Sequence, residues 1–249
     1  IIFLLAMRVS VNLNDFTFLF HNNDDRKLIG DRIPKSKNAA VTLPGSGVNL
    51  EKFHPVPISW EKPVILMPAR LIRDKGVIEF VDAASALHNA GLECDFVIAG
   101  DIFLKNPSHL TEAEIEHLKA TTPVKFLGAV SDMPTLYQKC CVVCLPSYRE
   151  GLPKVLLEAG ASGRAVITTN VPGCRDAIIS GKTGLLVEKG NSSDLAGAIF
   201  SLVENRNLCE QLGKNGRKLA EERFSVENIV NAHHKLYAMT AYESCGDIL

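Results

Sequence analysis

Short apolar runs that do not alternate with polar residues recur from about Pro63 onward, and most are followed by a segment with helical spacing. Uninterrupted apolar strands of this kind are typical of a parallel sheet that is covered on both faces. We therefore predict an α/β fold, a doubly wound parallel Rossmann-like sheet joined by right-handed βαβ crossovers. The predicted strands are Val64–Pro68, Asp95–Ala99, Val124–Leu127, Val142–Leu145, Ala165–Thr168 and Gly184–Val187.

Helical signals occupy the segments between these strands. Gly76–Ala90 has apolar residues at helical spacing and is followed by Gly91, while Thr111–Lys119 opens with a capping-box sequence. Pro153–Ser162 has proline at its start and Gly163 after its end, the usual asymmetry of a helix. The remaining predicted helices are Asp132–Gln138, Leu195–Glu204 with Asp194 as its cap, Asn207–Phe224 and Val226–Tyr242.

The N-terminal part of the chain has a different pattern. Phe16–Phe20 and Val41–Leu43 are predicted strands, Asn23–Gly30 is a predicted helix, and Pro44–Val48 is a turn-rich connector. The apolar run Ile1–Met7 is too short to cross a bilayer, and no signal-peptide cleavage site follows it. We expect residues 1–56 to be the remnant of a preceding domain with its linker, cut from a longer protein.

Composition and cysteine spacing argue against two classes of function, nucleic-acid binding through overall charge and metal binding through cysteines. The chain is 46% hydrophobic and 22% charged, with a formal net charge of −1, so no overall charge attracts it to nucleic acid. Among its seven cysteines, Cys141 and Cys144 form a C-x-x-C pair inside a predicted strand, without a second ligand pair nearby. We expect core thiols in a reducing compartment, and no metal site.

Two cations follow the first strand of the predicted sheet. Arg70 and Lys75 lie in the loop at its carboxyl end, where ligands of doubly wound sheets bind. A planar guanidinium and a compact ammonium together suit a diphosphate, and Gly76 allows a tight turn into the helix. Taken alone, such a charged loop is more often simply solvated.

The most informative loop follows the fourth strand and contains Glu150. Because Pro153 begins a helix, the backbone N–H groups of Gly151 and Leu152 lie near a positive helix N-terminus, which favours a phosphate. Glu158 lies within the apolar part of that helix and needs a hydrogen-bonding partner. The hydroxyls of a ribose would serve, and so would a nearby Arg or Lys such as Arg164; the sequence favours neither.

Other polar residues after strands are assigned more ordinary roles. Gly128 allows close approach of a flat base, whereas Asp132 is best explained as a helix cap. Cys174 lacks an evident base and is expected to be a small core residue rather than a nucleophile. His21 and His54 stand isolated in the sequence.

Together these segments resemble the large GT-B family of retaining glycosyltransferases, which includes glycogen and sucrose synthases and many bacterial polysaccharide enzymes. The match runs in order from about Leu43 to Tyr237, and its most specific part is the E-x7-E motif from Glu150 to Glu158. The other matching segments are Pro44–Asn49, Phe53–Pro55, Arg70, Lys75–Gly76, Phe126–Gly128, Pro172–Asp176 and Gly181–Val187.

The resemblance implies roles for the donor-site residues. Arg70 and Lys75 would bind the donor diphosphate and take up its charge as it departs, so that no metal or other cofactor is needed. Glu158 would hold the ribose, and the loop from Gly128 to Val130 would meet the base. The remaining implied roles concern one segment: Glu150, with the backbone of Gly151, Leu152 and Pro153, would hold the transferring sugar and its phosphate.

The resemblance also implies the substrates and the place of action. The donor would be a UDP-sugar that gives a hexose or N-acetylhexosamine, with retention, to a glycan or an undecaprenyl-diphosphate-linked acceptor. Residues 57–230 would bind the donor, and 231–249 would be a helix that crosses back to the preceding domain. The family's N-terminal acceptor domain does not fit into residues 1–56, so we expect donor binding with little transfer. The full-length enzyme would be cytoplasmic, with peripheral association at the inner face of the membrane.

Three rival functions differ from a transferase in the residues or the binding behaviour that they require. A GT-B sugar-nucleotide epimerase needs acid–base carboxylates and histidines across the cleft, and no such set is visible. A non-catalytic nucleotide-binding or scaffold module remains open, and UDP binding without turnover would support it. A generic dinucleotide enzyme is disfavoured because no G-x-G-x-x-G follows a predicted strand.

Overall fold

A computed structural model describes residues 17–33 and 40–245 of the chain, with side chains up to residue 238. Its first part, the N-terminal unit (residues 17–33 and 40–42), contains strand β1 (Phe18–Phe20), helix α1 (Asn23–Arg32) and strand β2 (Ala40–Thr42). The two strands pair in parallel, as a βαβ connection requires. All three elements agree with the prediction; Phe16 and the run Ile1–Met7 lie outside the described residues.

A six-stranded parallel sheet forms the main body. It contains β3 (Val64–Pro68), β4 (Asp95–Ala99), β5 (Val124–Phe126), β6 (Val142–Leu145), β7 (Ala165–Thr169) and β8 (Gly184–Val187). The strand order is β5-β4-β3-β6-β7-β8, so the order reverses between β3 and β6 at the centre of the sheet. The predicted strands and the doubly wound class are confirmed, because central strands buried on both faces have the apolar runs seen in the sequence.

Helices cover both faces of the sheet. They are α2 (Val77–Asn89), α3 (Glu112–Thr121), α4 (Met133–Lys139), α5 (Lys154–Ala161), α6 (Ser192–Glu204), α7 (Arg206–Leu219) and α8 (Val226–Cys245). The capping box of α3 is confirmed, since Thr111 and Glu114 each hydrogen-bond the other's backbone N–H. A π-helical turn, Ala220–Phe224, joins α7 to the segment before α8.

The predicted cap of α6 is wrong. Asn191 caps this helix, with its side chain accepting from the Asp194 N–H at 3.0 Å. Asp194 instead accepts from the Glu188 N–H at 2.7 Å and closes the preceding turn. The helix therefore begins three residues earlier than predicted, because Asn and Asp are both strong caps and the sequence offered two of them.

The core lies between the sheet and its helices. Cys140, Cys141, Cys144, Cys174 and Cys209 are all buried thiols, as expected, and Cys94 is half-buried. Burial raises the pKa of the Cys140 and Cys209 thiols to about 12, so they stay protonated and unreactive at neutral pH.

The segment between β2 and β3 is held against the main body. Val48 pairs with the residues at the start of α8: its N–H donates to Phe224 O at 2.8 Å, and its O accepts from the Val226 N–H at 3.1 Å. Arg217 on α7 donates one Nη to Leu50 O, Phe53 O and Ala161 O, at 3.2, 2.8 and 2.8 Å. The division at residues 56 and 230 stays a prediction, and α8 runs continuously through the second of these points.

Candidate functional site

The loops after β3 and β6 meet at the centre of the carboxyl edge of the sheet. β3 and β6 are neighbours, with Ile65 paired to Val142, and they lie where the strand order reverses. Their chains therefore leave the sheet in opposite directions and open a crevice, which is where doubly wound sheets bind ligands. Arg70 and Lys75 lie in the first loop, and Glu150 lies in the second, here called the site loop (residues 146–153).

Close backbone packing brings these two loops together. Gly76 has a φ of +77°, and a Cβ at this position would lie 2.1 Å from Pro146 O. Asp74 O accepts hydrogen bonds from the Tyr148 N–H at 2.8 Å and the Ser147 Oγ at 3.0 Å. Only glycine fits such a turn and such an approach, so Gly76 fixes the position of Lys75 relative to the site loop.

Lys75 and Glu150 form an ion pair across the crevice. Their side chains are only 17% and 12% exposed, so the pair is largely screened from solvent by the protein. Both residues were expected at this site from the sequence, but their pairing was not. The arrangement places a cation and a carboxylate side by side at the switch point of the sheet, where an incoming anion would compete for the ammonium.

Arg70 is exposed at the same edge and stacks on an aromatic ring. Its Cζ lies 4.4 Å from the ring centroid of Phe103, which belongs to the loop after β4. A guanidinium placed over a ring can still use its N–H donors to bind a ligand. Phe103 was not selected from the sequence; its place in the chain gives no signal that it would reach Arg70.

Unpartnered backbone donors lie at the start of α5. The N–H groups of Gly151 and Leu152 have no hydrogen-bond partner among the described residues, and Pro153 occupies the N-cap position. A Cβ at Gly173 would lie 2.3 Å from Glu150 O and 2.6 Å from Gly151 O, so the loop after β7 packs closely on this segment. Two free N–H groups beside a helix N-terminus favour an anion.

Glu158 lies one turn into α5 and is 12% exposed. Tyr137 donates its hydroxyl to Glu158 Oε2 at 3.1 Å, and Lys154 Nζ lies 4.0 Å from Oε1. Burial raises the pKa of the Glu158 carboxyl, and the hydrogen bond from Tyr137 and the charge of Lys154 oppose that rise. Arg164, named above as one partner open to Glu158, is fully buried and donates to Val56 O at 2.8 Å instead.

The loop after β5 leaves open space around its glycine. Gly128 has a φ of +69°, and a Cβ built there would meet nothing within 4 Å. Its carbonyl accepts from the Gly100 N–H at 2.8 Å, while Val130 is half-buried against the core. Asp132 caps α4, accepting from the Thr135 N–H at 3.2 Å, which confirms the interpretation of Asp132 as a cap.

The N-terminal unit reaches the site loop, which the sequence analysis missed. Asn22 donates to Gly151 O at 2.8 Å, and Asp25 pairs with Arg149 at 2.5 Å. Asp24 pairs with Arg175, in the loop after β7, at 2.8 Å. The run of Asn and Asp from Asn22 to Asp25, at the start of α1, signals a helix cap, but nothing in it shows which distant loop it faces.

Two negative findings apply to the described part of the chain. No group of three or more His, Cys, Asp or Glu side chains there is placed to hold a metal ion. No helix within the same residues combines the length and apolar character that crossing a membrane requires.

A wide groove lies between residues 55–58 and α7. Its lining includes Gly163, just before β7, so the groove opens at the amino edge of the sheet, away from the candidate site.

The chain is similar in sequence to known sugar transferases. A family model described as "Glycosyl transferases group 1" matches residues 49–219. Over 233 residues the chain is 33% identical to N,N'-diacetylbacillosaminyl-diphospho-undecaprenol alpha-1,3-N-acetylgalactosaminyltransferase of Campylobacter jejuni, covering 88% of this chain and 59% of that protein. It is 30% identical over 231 residues to the capsular polysaccharide biosynthesis glycosyltransferase CapM of Staphylococcus aureus, covering 88% and 60%. The chain thus spans about three-fifths of these relatives' length.

The fold is shared with solved structures. The crystal structure of Anabaena HepE in complex with UDP and glucose matches with a TM-score of 0.81 at 20% identity, over 94% of this chain and 67% of that one. At this identity the likeness concerns the fold alone. It confirms the Rossmann-like sheet predicted from the sequence and adds nothing about individual site residues.

Proposed function

The chain belongs to the group 1 glycosyl transferases, and we propose that its main body binds a UDP-sugar for transfer of the sugar with retention of configuration. One observation carries the proposal: Lys75, Glu150 and the unpartnered N–H groups of Gly151 and Leu152 converge at the switch point of the sheet. That set offers cationic and neutral donors for a diphosphate and a carboxylate for sugar hydroxyls.

The diphosphate would lie between the two central loops. Lys75 and Arg70 supply positive charge from one side, and the Gly151 and Leu152 N–H groups with the α5 N-terminus supply donors from the other. These groups stabilise the negative charge that grows on the diphosphate as the sugar leaves, without a metal. The Lys75–Glu150 pair must open in part, which leaves the Glu150 carboxylate free to accept from a hydroxyl of the transferring sugar.

The nucleoside would lie along α5 and the loop after β5. Burial raises the pKa of the Glu158 carboxyl and Tyr137 donates to one of its oxygens, so hydrogen bonds from vicinal ribose hydroxyls would stabilise its ionised form further. The open space at Gly128 and the neighbouring Val130 suit a flat base. UDP is proposed as the nucleotide because a fold neighbour was crystallised with it.

The acceptor is proposed from the relatives. The Campylobacter jejuni relative is named for transfer of N-acetylgalactosamine to an undecaprenol-linked diphosphate sugar, and the Staphylococcus aureus relative for capsular polysaccharide synthesis. We therefore propose a hexose or N-acetylhexosamine donor, and a glycan or undecaprenyl-diphosphate-linked acceptor. Such an acceptor would bring the enzyme to the inner face of the membrane as a peripheral protein.

Calorimetric titration tests the donor assignment. UDP, ADP and GDP are each titrated into the chain and into Glu158→Ala, with Glu116→Ala, an exposed carboxylate on α3, as the matched control. We expect UDP to bind in preference to the other two, and Glu158→Ala to weaken it about tenfold or more, as loss of a hydrogen-bonded carboxylate does. Equal binding of the three nucleotides, or no binding of any, would contradict the proposal.

A further inference from the structure

Asn22 is a buried polar residue that joins the N-terminal unit to the site loop. It is 1% exposed and its amide is fully hydrogen-bonded: Oδ1 accepts from the Asp25 N–H at 2.7 Å, and Nδ2 donates to Asp25 Oδ2 at 2.9 Å and to Gly151 O at 2.8 Å. Because both acceptors face Nδ2 and the backbone donor faces Oδ1, the network fixes the orientation of the amide.

The hydrogen bond from Asn22 to Gly151 O fixes the orientation of the whole Gly151–Leu152 peptide unit. Gly151 O and the N–H of Leu152 belong to one peptide unit, which is trans like every described peptide bond. In a trans unit the C=O and N–H point in opposite directions, so holding the carbonyl toward Asn22 turns the Leu152 N–H away from it. That N–H has no partner among the described residues, although it lies beside the α5 N-terminus.

The same peptide is confined on a second side. The backbone of Gly173 packs so closely that a Cβ there would lie 2.6 Å from Gly151 O. On the Asn22 side, Asp25 binds Asn22 through one oxygen and Arg149 through the other, at 2.9 and 2.5 Å. The Asp25–Arg149 ion pair brings the unit to the loop, but it is too exposed to add much energy. The buried amide bond is the contact that sets the angle of the peptide.

We propose that Asn22 is a positioning residue for the donor diphosphate: it locks the Gly151–Leu152 peptide so that the Leu152 N–H stays unpaired and available to a phosphate oxygen. This inference rests on the proposed function. Asn22 touches neither the nucleotide nor the sugar, and it affects the affinity only of ligands that carry a phosphate. A free nucleoside is therefore indifferent to it.

The test compares UDP with uridine in the 249-residue chain. Asn22→Ser keeps a side-chain oxygen to cap α1 but removes the amide that binds Gly151 O. Asn23→Ala is the matched control, because the exposed Asn23 side chain binds Thr42 Oγ1 within the unit, at 3.0 Å, and no contact to the site loop depends on it. Dissociation constants for both ligands are measured by calorimetry, and thermal unfolding checks that each variant is folded.

We expect Asn22→Ser to weaken UDP about tenfold, the range for one charge-assisted hydrogen bond, and to leave uridine within about twofold. Asn23→Ala leaves both affinities unchanged. Equal losses for UDP and uridine, or an unchanged UDP affinity, would overturn the role of Asn22 while leaving the donor site intact. If the unaltered chain binds neither ligand, the proposed function fails and this inference falls with it.

Discussion

Lys75 and Glu150 neutralise each other at the centre of the candidate site, and this pairing governs what the site can bind. A phosphate that approaches Lys75 must displace the Glu150 carboxylate, because the two negative groups repel each other at close range. The pair therefore weakens binding of a bare nucleoside diphosphate. A nucleotide sugar loses less, because its hydroxyls can donate to the displaced carboxylate.

Glu150→Gln should separate these two effects. Removing the competing charge is expected to strengthen UDP about threefold to tenfold, a range on the scale of one partly screened ion pair. The advantage of a UDP-sugar over UDP should shrink, since the amide is a poorer acceptor for sugar hydroxyls. Calorimetry with both ligands measures the two effects, with Glu116→Gln as an exposed control; weaker UDP binding in Glu150→Gln would contradict the competition.

Glu158 should give a stability change that opposes its effect on binding. Its pKa is raised above the ordinary value of 4.5, chiefly by burial, so the folded state prefers the protonated form. The stability that the protonated Glu158 carboxyl contributes is therefore fully present below the pKa of the group in the unfolded chain. It is lost as the pH rises through the pKa of the group in the folded chain.

Glu158→Gln, which has no charge to bury and can still accept from Tyr137, should be more stable than the unaltered chain at pH 7, on the order of 1 kcal/mol. The difference should close as the pH falls below 4.5. Urea unfolding at several pH values measures it. A variant that is less stable at pH 7 would show that the charge of Glu158 already has full compensation without a ligand.

At the scale of elements, the sequence predicts the sheet better than the site. The central strands β6 and β7 are buried along their whole length, and burial on both faces leaves them little alternative to a parallel strand, whereas the edge strand β5 carries the exposed Lys125. Local signals also gave the α3 cap, but failed at α6, where Asn191 and Asp194 both have capping side chains. The pairing of loops depends on strand order, which periodicity does not encode.

The turn at Gly76 joins the element scale to the site. A Cβ there would meet Pro146 O at 2.1 Å, and the φ of +77° is unfavourable for any other residue. Gly76→Ala should lower the free energy of unfolding by about 2–4 kcal/mol. The backbone at Pro146 must move to admit the methyl group, and the alanine itself is held at an unfavourable φ. Gly91→Ala is the matched control: its φ is +86° but its surroundings are open, so about 1 kcal/mol is expected.

Denaturant unfolding of both glycine variants measures the difference. Equal losses would mean that the cost is backbone strain alone and that the two central loops are not tightly packed. A larger loss in Gly76→Ala, accompanied by weaker UDP binding, would tie the stability of this turn to the geometry of the site.

The described residues form a six-stranded domain, and a smaller βαβ unit is attached to its carboxyl edge. Residues 17–33 lie in the stretch 1–56, which the sequence predicts to be a domain remnant with its linker. Their contacts with Gly151 and Arg149 could not be predicted, because they join positions more than 120 residues apart. The segment that follows them is fastened by Arg217, whose single Nη serves three carbonyls.

Arg217→Lys should loosen that attachment. A lysine ammonium cannot reproduce the planar fork that serves three carbonyls and Glu221 together, so we expect a loss of about 1–3 kcal/mol in unfolding free energy. Cleavage between residues 49 and 58 in limited proteolysis should become faster. The exposed Lys218 offers a control, and Lys218→Ala should change neither; an equally slow cleavage in Arg217→Lys would contradict the clamp.

We propose that the switch point between β3 and β6 binds a nucleoside diphosphate, and a crystal structure of the chain soaked with UDP tests this. We expect a phosphate within hydrogen-bond distance of the Leu152 N–H and Lys75 Nζ, with the ribose against Glu158. UDP bound instead in the groove between residues 55–58 and α7, or nowhere on the chain at millimolar concentration, would contradict the claim.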